Sequence, residues 1–115
     1  MQFKEKPNGV TRMSTEFLAK NLLKVTGEVV TIEGRIDEWK DNWVEFLTDT
    51  GDSIMVNGFS WGYGGEGPSG LFDAAKALGF TQLTREAITK IPMSSPWKMD
   101  KYPLVYKKCP CSSCS

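Results

Sequence analysis

The sequence predicts an α+β fold, a small antiparallel β-meander of three or four strands with one main helix packed across it and a shorter helix at each side. Residues 28 to 39 alternate, with Val30, Ile32 and Ile36 on one face and Thr31, Glu33, Arg35 and Asp37 on the other, which is the period of a half-buried strand. Turn chemistry follows at Lys40-Asp41-Asn42 and again at Asp49-Thr50-Gly51-Asp52, bracketing the strand-like WVEFLT. Beyond the glycines the period lengthens, and Leu71, Ala74, Ala75 and Leu78 fall on one helical face.

In chain order, residues 1 to 13 read as a loop or a short edge strand that carries little. Ser14-Thr15 reads as the cap of a short amphipathic helix whose apolar stripe is Phe17, Leu18, Leu22 and Val25, stopped by Gly27. The first two strands form a hairpin whose turn Trp39 and Trp43 flank, either clasping it, which is the favoured reading, or staying exposed as a contact patch for another protein, and residues 53 to 63 supply the third strand. Pro68 suits the first turn of the main helix and Gly79 the position just past its end. A short helix is expected from Thr84 to Ile91, ended by Pro92, and one edge strand near Leu104 to Tyr106. Residues 1 to 108 form one globular domain and residues 109 to 115 a cysteine-containing tail.

Composition excludes more than it selects. Lys plus Arg and Asp plus Glu are both 14, so no net field steers the chain to nucleic acid or to an anionic membrane. No segment is apolar enough for a signal peptide or a membrane span, and the expected location is a cytosol. The chain has no histidine, which removes the commonest general base and nucleophile-activating partner. Glu33, Asp37 and Glu45 are within reach of one another across the hairpin, but carboxylates on such a face are more often solubilising than catalytic.

The stretch GFSWGYGGEGPSG, residues 58 to 70, is the unusual feature. As a continued strand it sets Phe59, Trp61 and Tyr63 on one side and Ser60, Gly62 and Gly64 on the other. The rings then either pack as core or rim a pocket and stack on a ligand. Gly64, Gly65 and Gly67 lead into a helix N-terminus, a place where backbone N–H groups commonly hold phosphate. Against phosphate stand Glu66, which can itself occupy the anion position, and the lack of Lys or Arg between residues 54 and 75. A phosphate would need Arg12, Arg35 or Arg85 from elsewhere in the chain.

GFSWGYGGEGPSGL followed by an Ala-rich and Leu-rich helix resembles the signature of an uncharacterised domain family of bacteria, plasmids and phages, GFxWGYGGxGPxxL. The downstream IPMSSPWKM, with Trp97, is similar to that family's Trp a few residues after a Leu-Pro or Ile-Pro pair, and the two together span roughly residues 54 to 100. Glu66 stands where a serine is usual in the family. The resemblance implies a small protein of a phage or mobile element; it implies no activity.

Cys109, Cys111 and Cys114 form a C-x-C-x-x-C spacing that lets three thiolates meet on one soft metal ion, zinc above all. With no histidine, the fourth ligand would be Asp100, a water or a thiolate of a second copy; the alternatives are a solvated tail with reduced thiols, which is the favoured reading, and a redox or iron–sulfur role. No cofactor is otherwise expected. A homodimer through an edge strand or the thiol tail is allowed but not demanded.

Three functions therefore stay open, in this order. The first is a non-catalytic protein that occludes a host or viral protein through an aromatic surface. The second is a binder of a nucleotide-like ligand at Trp61, Tyr63 and the glycine turn, and the third an enzyme using carboxylates or a metal held by the tail.

Overall fold

A computed structural model describes residues 1–39, 41–61, 65–80, 84, 86, 88 and 104–107, with the backbone alone at 35, 36 and 104–107. The elements are β1 (Gln2–Lys4), α1 (Thr11–Leu22), β2 (Val29–Ile36), β3 (Asn42–Thr48), β4 (Ser53–Val56), α2 (Glu66–Ala77) and β5 (Leu104–Lys107). They build an α+β domain on a five-stranded sheet of order β1-β4-β3-β2-β5. The expected meander is its centre, since β2 pairs with β3 and β3 with β4, both antiparallel. Two edge strands widen it. The strand expected near Leu104 is β5, antiparallel to β2, whereas β1 lies parallel to β4 and makes the sheet mixed.

Register explains the core. Ile32 lies opposite Phe46 and Phe46 opposite Ile54, so one row crosses three strands, and all three side chains are fully buried. Val44 and Val56 form the next row on that face. The helices cover it with Leu18, Leu71 and Ala75, flanked by the partly buried Phe17, Leu22, Val25, Ala74 and Leu78, the stripes the sequence predicts. On the other face Trp43 is buried beneath Lys4, whose Nζ sits 4.7 Å from the ring centroid.

Helix ends show where local signals hold. At α2 the expected Gly79 adopts φ +87° and donates its N–H to the Lys76 carbonyl at 3.1 Å, while Phe80 N–H reaches the Ala75 carbonyl at 2.9 Å. This is a Schellman closure, and Phe80 and Ala75 complete it as buried apolar partners. Pro68 sits in the first turn as expected, where a missing N–H costs nothing. The start of α1 is a correction, because the helix begins at Thr11 and Val10 caps it without a side-chain bond. Ser14, read as a cap, lies inside the first turn and spends its hydroxyl on long-range partners. The two helices are equally long, 12 residues each, so no single helix dominates.

Of the helix expected over residues 84 to 91, the described part shows Ile88 N–H bonded to the Thr84 carbonyl at 3.1 Å, with Ile88 in the core. The cysteine tail, residues 109–115, lies outside the described residues. No helix among the described residues is long and apolar enough to cross a membrane.

Candidate functional site

The third strand stops at Val56, seven residues before the expected end, because Asn57 is held by its side chain rather than by a sheet ladder. Asn57 Oδ1 accepts the N–H groups of Asn8 and Gly9 at 2.9 and 2.7 Å, and its Nδ2 donates to the Asn42 carbonyl at 3.1 Å. One side chain thus ties the turn before α1, the end of β4 and the start of β3 together.

A buried polar network lies beneath. Ser14 Oγ donates to Glu5 Oε1 at 2.6 Å and accepts the Gly58 N–H at 2.7 Å. Asn57 N–H donates to the same Glu5 oxygen at 2.9 Å, and Thr11 Oγ1 donates to the Gly58 carbonyl at 2.8 Å. Glu5, Ser14 and Asn57 are all buried. Residues 1 to 13, expected to carry little, therefore supply Glu5 and Thr11 to this network and are a structural partner of the glycine-rich stretch.

That stretch is a joint. A Cβ on Gly58 would overlap the Val10 carbonyl, and one on Gly67 would overlap Ser60 Oγ, so both positions are kept bare by neighbouring chain. Phe59 and Trp61 are 0% and 1% exposed. Phe59 meets Phe46 edge to face at a centroid distance of 6.2 Å. The two rings do not alternate with Ser60, which is buried too, because the backbone has left the sheet. They belong to the core, and an aromatic contact surface made of Phe59 and Trp61 is ruled out in this conformation. Trp61 Nε1 is buried without a hydrogen-bond partner among the described residues. Tyr63 and Gly64 lie outside the described residues, as do Cys109, Cys111 and Cys114. Arg35 pairs with Trp43 in the β2–β3 register, and its side chain is likewise outside the description.

On the open side of the joint is a pocket of about 520 Å³. Gly9, Val10 and Thr11 line it from the start of α1, Glu66 and Gly67 from the start of α2, Asp41 and Asn42 from the β2–β3 turn, and Asn57 to Ser60 from the chain leaving β4. Neither helix has a side-chain cap, so two helix N-termini face one space. No Lys or Arg lines it among the described residues. Of the residues singled out in the sequence, Glu66 and Gly67 line this pocket, while Asp41 and Asn42 were visible only as turn residues and Asn57 only as part of the third strand.

The β2–β3 turn has its own lock. Asp37 Oδ1 accepts the N–H groups of Trp39 and Asp41, each at 2.9 Å, and Oδ2 accepts the indole N–H of Trp43 at 2.8 Å. Burial would push the Asp37 carboxyl up, but the donors from Asp41, Trp43 and Trp39, with Lys4 nearby, hold it below the usual range. The expected clasp of Trp39 and Trp43 is corrected. Trp43 is 4% exposed and Trp39 is 77% exposed, so the rings part company at the turn. Glu33 and Glu45 do face each other across the hairpin, but Asp37 is occupied with the turn. Among the described residues no three of His, Cys, Asp or Glu gather closely enough to hold a metal ion.

No family model matches the chain, and neither does any curated protein or solved structure.

Proposed function

We propose that this chain is a non-catalytic binding protein, of phage or mobile-element origin, that occludes another protein through the β2–β3 hairpin tip and the pocket beside it. The observation that carries this reading is Trp39, exposed at 77% on a turn that the Asp37 carboxylate pins through three hydrogen bonds. Large rings are rarely left so bare, and Trp is the residue most enriched among those that dominate protein interfaces. A turn already fixed loses little freedom on binding, so more of the contact energy survives as affinity. The aromatic surface is therefore assigned to Trp39 rather than to the buried Phe59 and Trp61. The provenance rests on the resemblance of GFSWGYGGEGPSGL to its family signature.

The test compares the full chain and its Trp39→Ala variant as bait, at matched unfolding midpoints. The reading expects a protein retained by the native chain and lost by the variant. Equal retention by both would sink it.

A further inference from the structure

The sequence holds two Asn-Gly pairs, Asn8-Gly9 and Asn57-Gly58, and the fold brings them to one place, since Asn57 Oδ1 accepts the N–H groups of both Asn8 and Gly9. In an Asn-Gly pair the glycine nitrogen reaches the preceding carboxamide with no Cβ to obstruct it, which makes these the most labile amides of a chain. Geometry nevertheless demands both glycines. Gly9 takes φ +67°, in the left-handed region, and a Cβ on Gly58 would overlap the Val10 carbonyl. Hydrogen bonding demands both asparagines. Asn8 Oδ1 accepts the Val10 N–H at 2.7 Å and its Nδ2 donates to the Lys6 carbonyl at 2.9 Å, while Asn57 bonds Asn8, Gly9 and Asn42.

We propose that Asn57 is a site of deamidation through a succinimide, that the folded joint holds the reaction shut, and that the reaction, once local opening permits it, prevents the joint from closing as before. In that step the Gly58 nitrogen bonds to Cγ of Asn57, the Cγ–Nδ2 bond breaks, and Nδ2 leaves as ammonia with the Gly58 proton. Water then opens the ring to aspartate or isoaspartate. Both reacting groups are pinned in the fold. Gly58 donates its N–H to Ser14 Oγ at 2.7 Å, and Ser14 is fixed in turn by donating to Glu5 Oε1. The carboxamide of Asn57 is tied through both its oxygen and its nitrogen. Asn57 guards the other pair in the same way, because the Gly9 N–H is spent on it. The product does not fit this site. Aspartate at position 57 keeps an acceptor for Asn8 and Gly9 but loses the Nδ2 donor and sets an oxygen against the Asn42 carbonyl, at a buried position. Isoaspartate adds a backbone atom beside Gly58, where even a Cβ has no room. At Asn8, which is exposed, the same change removes only the short-range bond to Lys6.

The test incubates the full chain at mildly alkaline pH in native buffer and in unfolding urea, then reads deamidation at Asn8, Asn42 and Asn57 by mass spectrometry after proteolysis. In urea Asn8 and Asn57 should react together, while Asn42, followed by the bulky Trp43, serves as the slow internal reference. In native buffer Asn57 should react roughly a hundredfold more slowly than in urea, because the joint must first open. Ser14→Ala frees the Gly58 N–H and should speed Asn57 about tenfold in native buffer. Ile32→Val, which lowers the unfolding midpoint without touching the joint, should leave the Asn57 rate unchanged. Should Ser14→Ala fail to fold, Thr11→Val, which removes the bond to the Gly58 carbonyl, carries the same expectation with a smaller factor. Asn57→Asp should unfold at a lower urea midpoint than Asn8→Asp, reproducing the two products separately. Equal rates at Asn57 in native buffer and in urea, or equal acceleration by Ile32→Val and the joint variant, would overturn the gating. Equal midpoints for Asn57→Asp and Asn8→Asp would overturn the claim that the product cannot reclose.

Discussion

The indole N–H of Trp43 donates to Oδ2 of Asp37 at 2.8 Å, and the other oxygen of that carboxylate holds the N–H groups of Trp39 and Asp41. One buried ring thereby anchors the turn that displays an exposed one. Replacing Asp37 by Ala removes all three acceptor contacts at a partly exposed site where water can substitute, so a loss of about 1–2 kcal/mol is expected in chemical denaturation. The larger effect should be on order. Amide exchange at Trp39 and Asp41 should quicken, while residues of the core row Ile32, Phe46 and Ile54 keep their protection.

The same carboxylate predicts a pH dependence. Asp37 is held below its ordinary value when folded, and Asp52 is too, through the Thr26 N–H and the N-terminal ammonium. A group depressed in the folded state contributes stability above its unfolded value, near pH 4, and loses that contribution as pH falls through the folded value. The native chain should therefore lose stability below about pH 4, and Asp37→Asn should lose less over the same window. Urea midpoints of the two proteins between neutral and acid pH measure the difference.

Ser14→Ala tests the network under the pocket. It strips a donor from Glu5 and leaves the Gly58 N–H without its acceptor in a buried place, an expected cost of about 1–3 kcal/mol by equilibrium denaturation. A surface substitution such as Thr15→Ala, one residue on, should cost much less.

The joint makes a prediction of its own. Phe59→Ala should cost about 3–5 kcal/mol, as emptying a filled core position does. Gly67→Ala should cost about 1–3 kcal/mol, because the added methyl meets Ser60. A Phe59→Ala protein as stable as the native chain would show that the motif's first ring is not core.

How much of this was written in the sequence depends on the range of the interaction responsible. The hairpin, the second turn and both helical stripes are local, set by periods of two and about three and a half and by Asp, Asn and Gly at the reversals. Gly79 announced the end of α2 because left-handed backbone at a helix end is a local demand. The start of α1 was misread because Ser14 looks like a cap, yet its hydroxyl is claimed by Glu5 and Gly58 from 9 and 44 residues away. The early end of β4 has the same origin, since Asn57 serves partners 48 and 49 residues back in the chain. At the site, Glu66 and Gly67 stood out as part of a glycine-rich approach to a helix. Asp41 did not, because only the register of the hairpin and the packing of α2 bring it to the same cavity. The fates of Trp39 and Trp43 differ for a comparable reason. Both flank a turn, but only the ring of Trp43 bonds the Asp37 carboxylate and lies under Lys4, whereas Trp39 gives that carboxylate its backbone N–H alone.

The most direct measurement of the central claim is retention of a protein partner by the native chain and by Trp39→Ala, with both baits shown to unfold at the same midpoint. The account predicts a defined complex with the native chain that the variant loses. A complex held equally by both would show that the exposed ring on the pinned turn is not the contact, and would contradict the account.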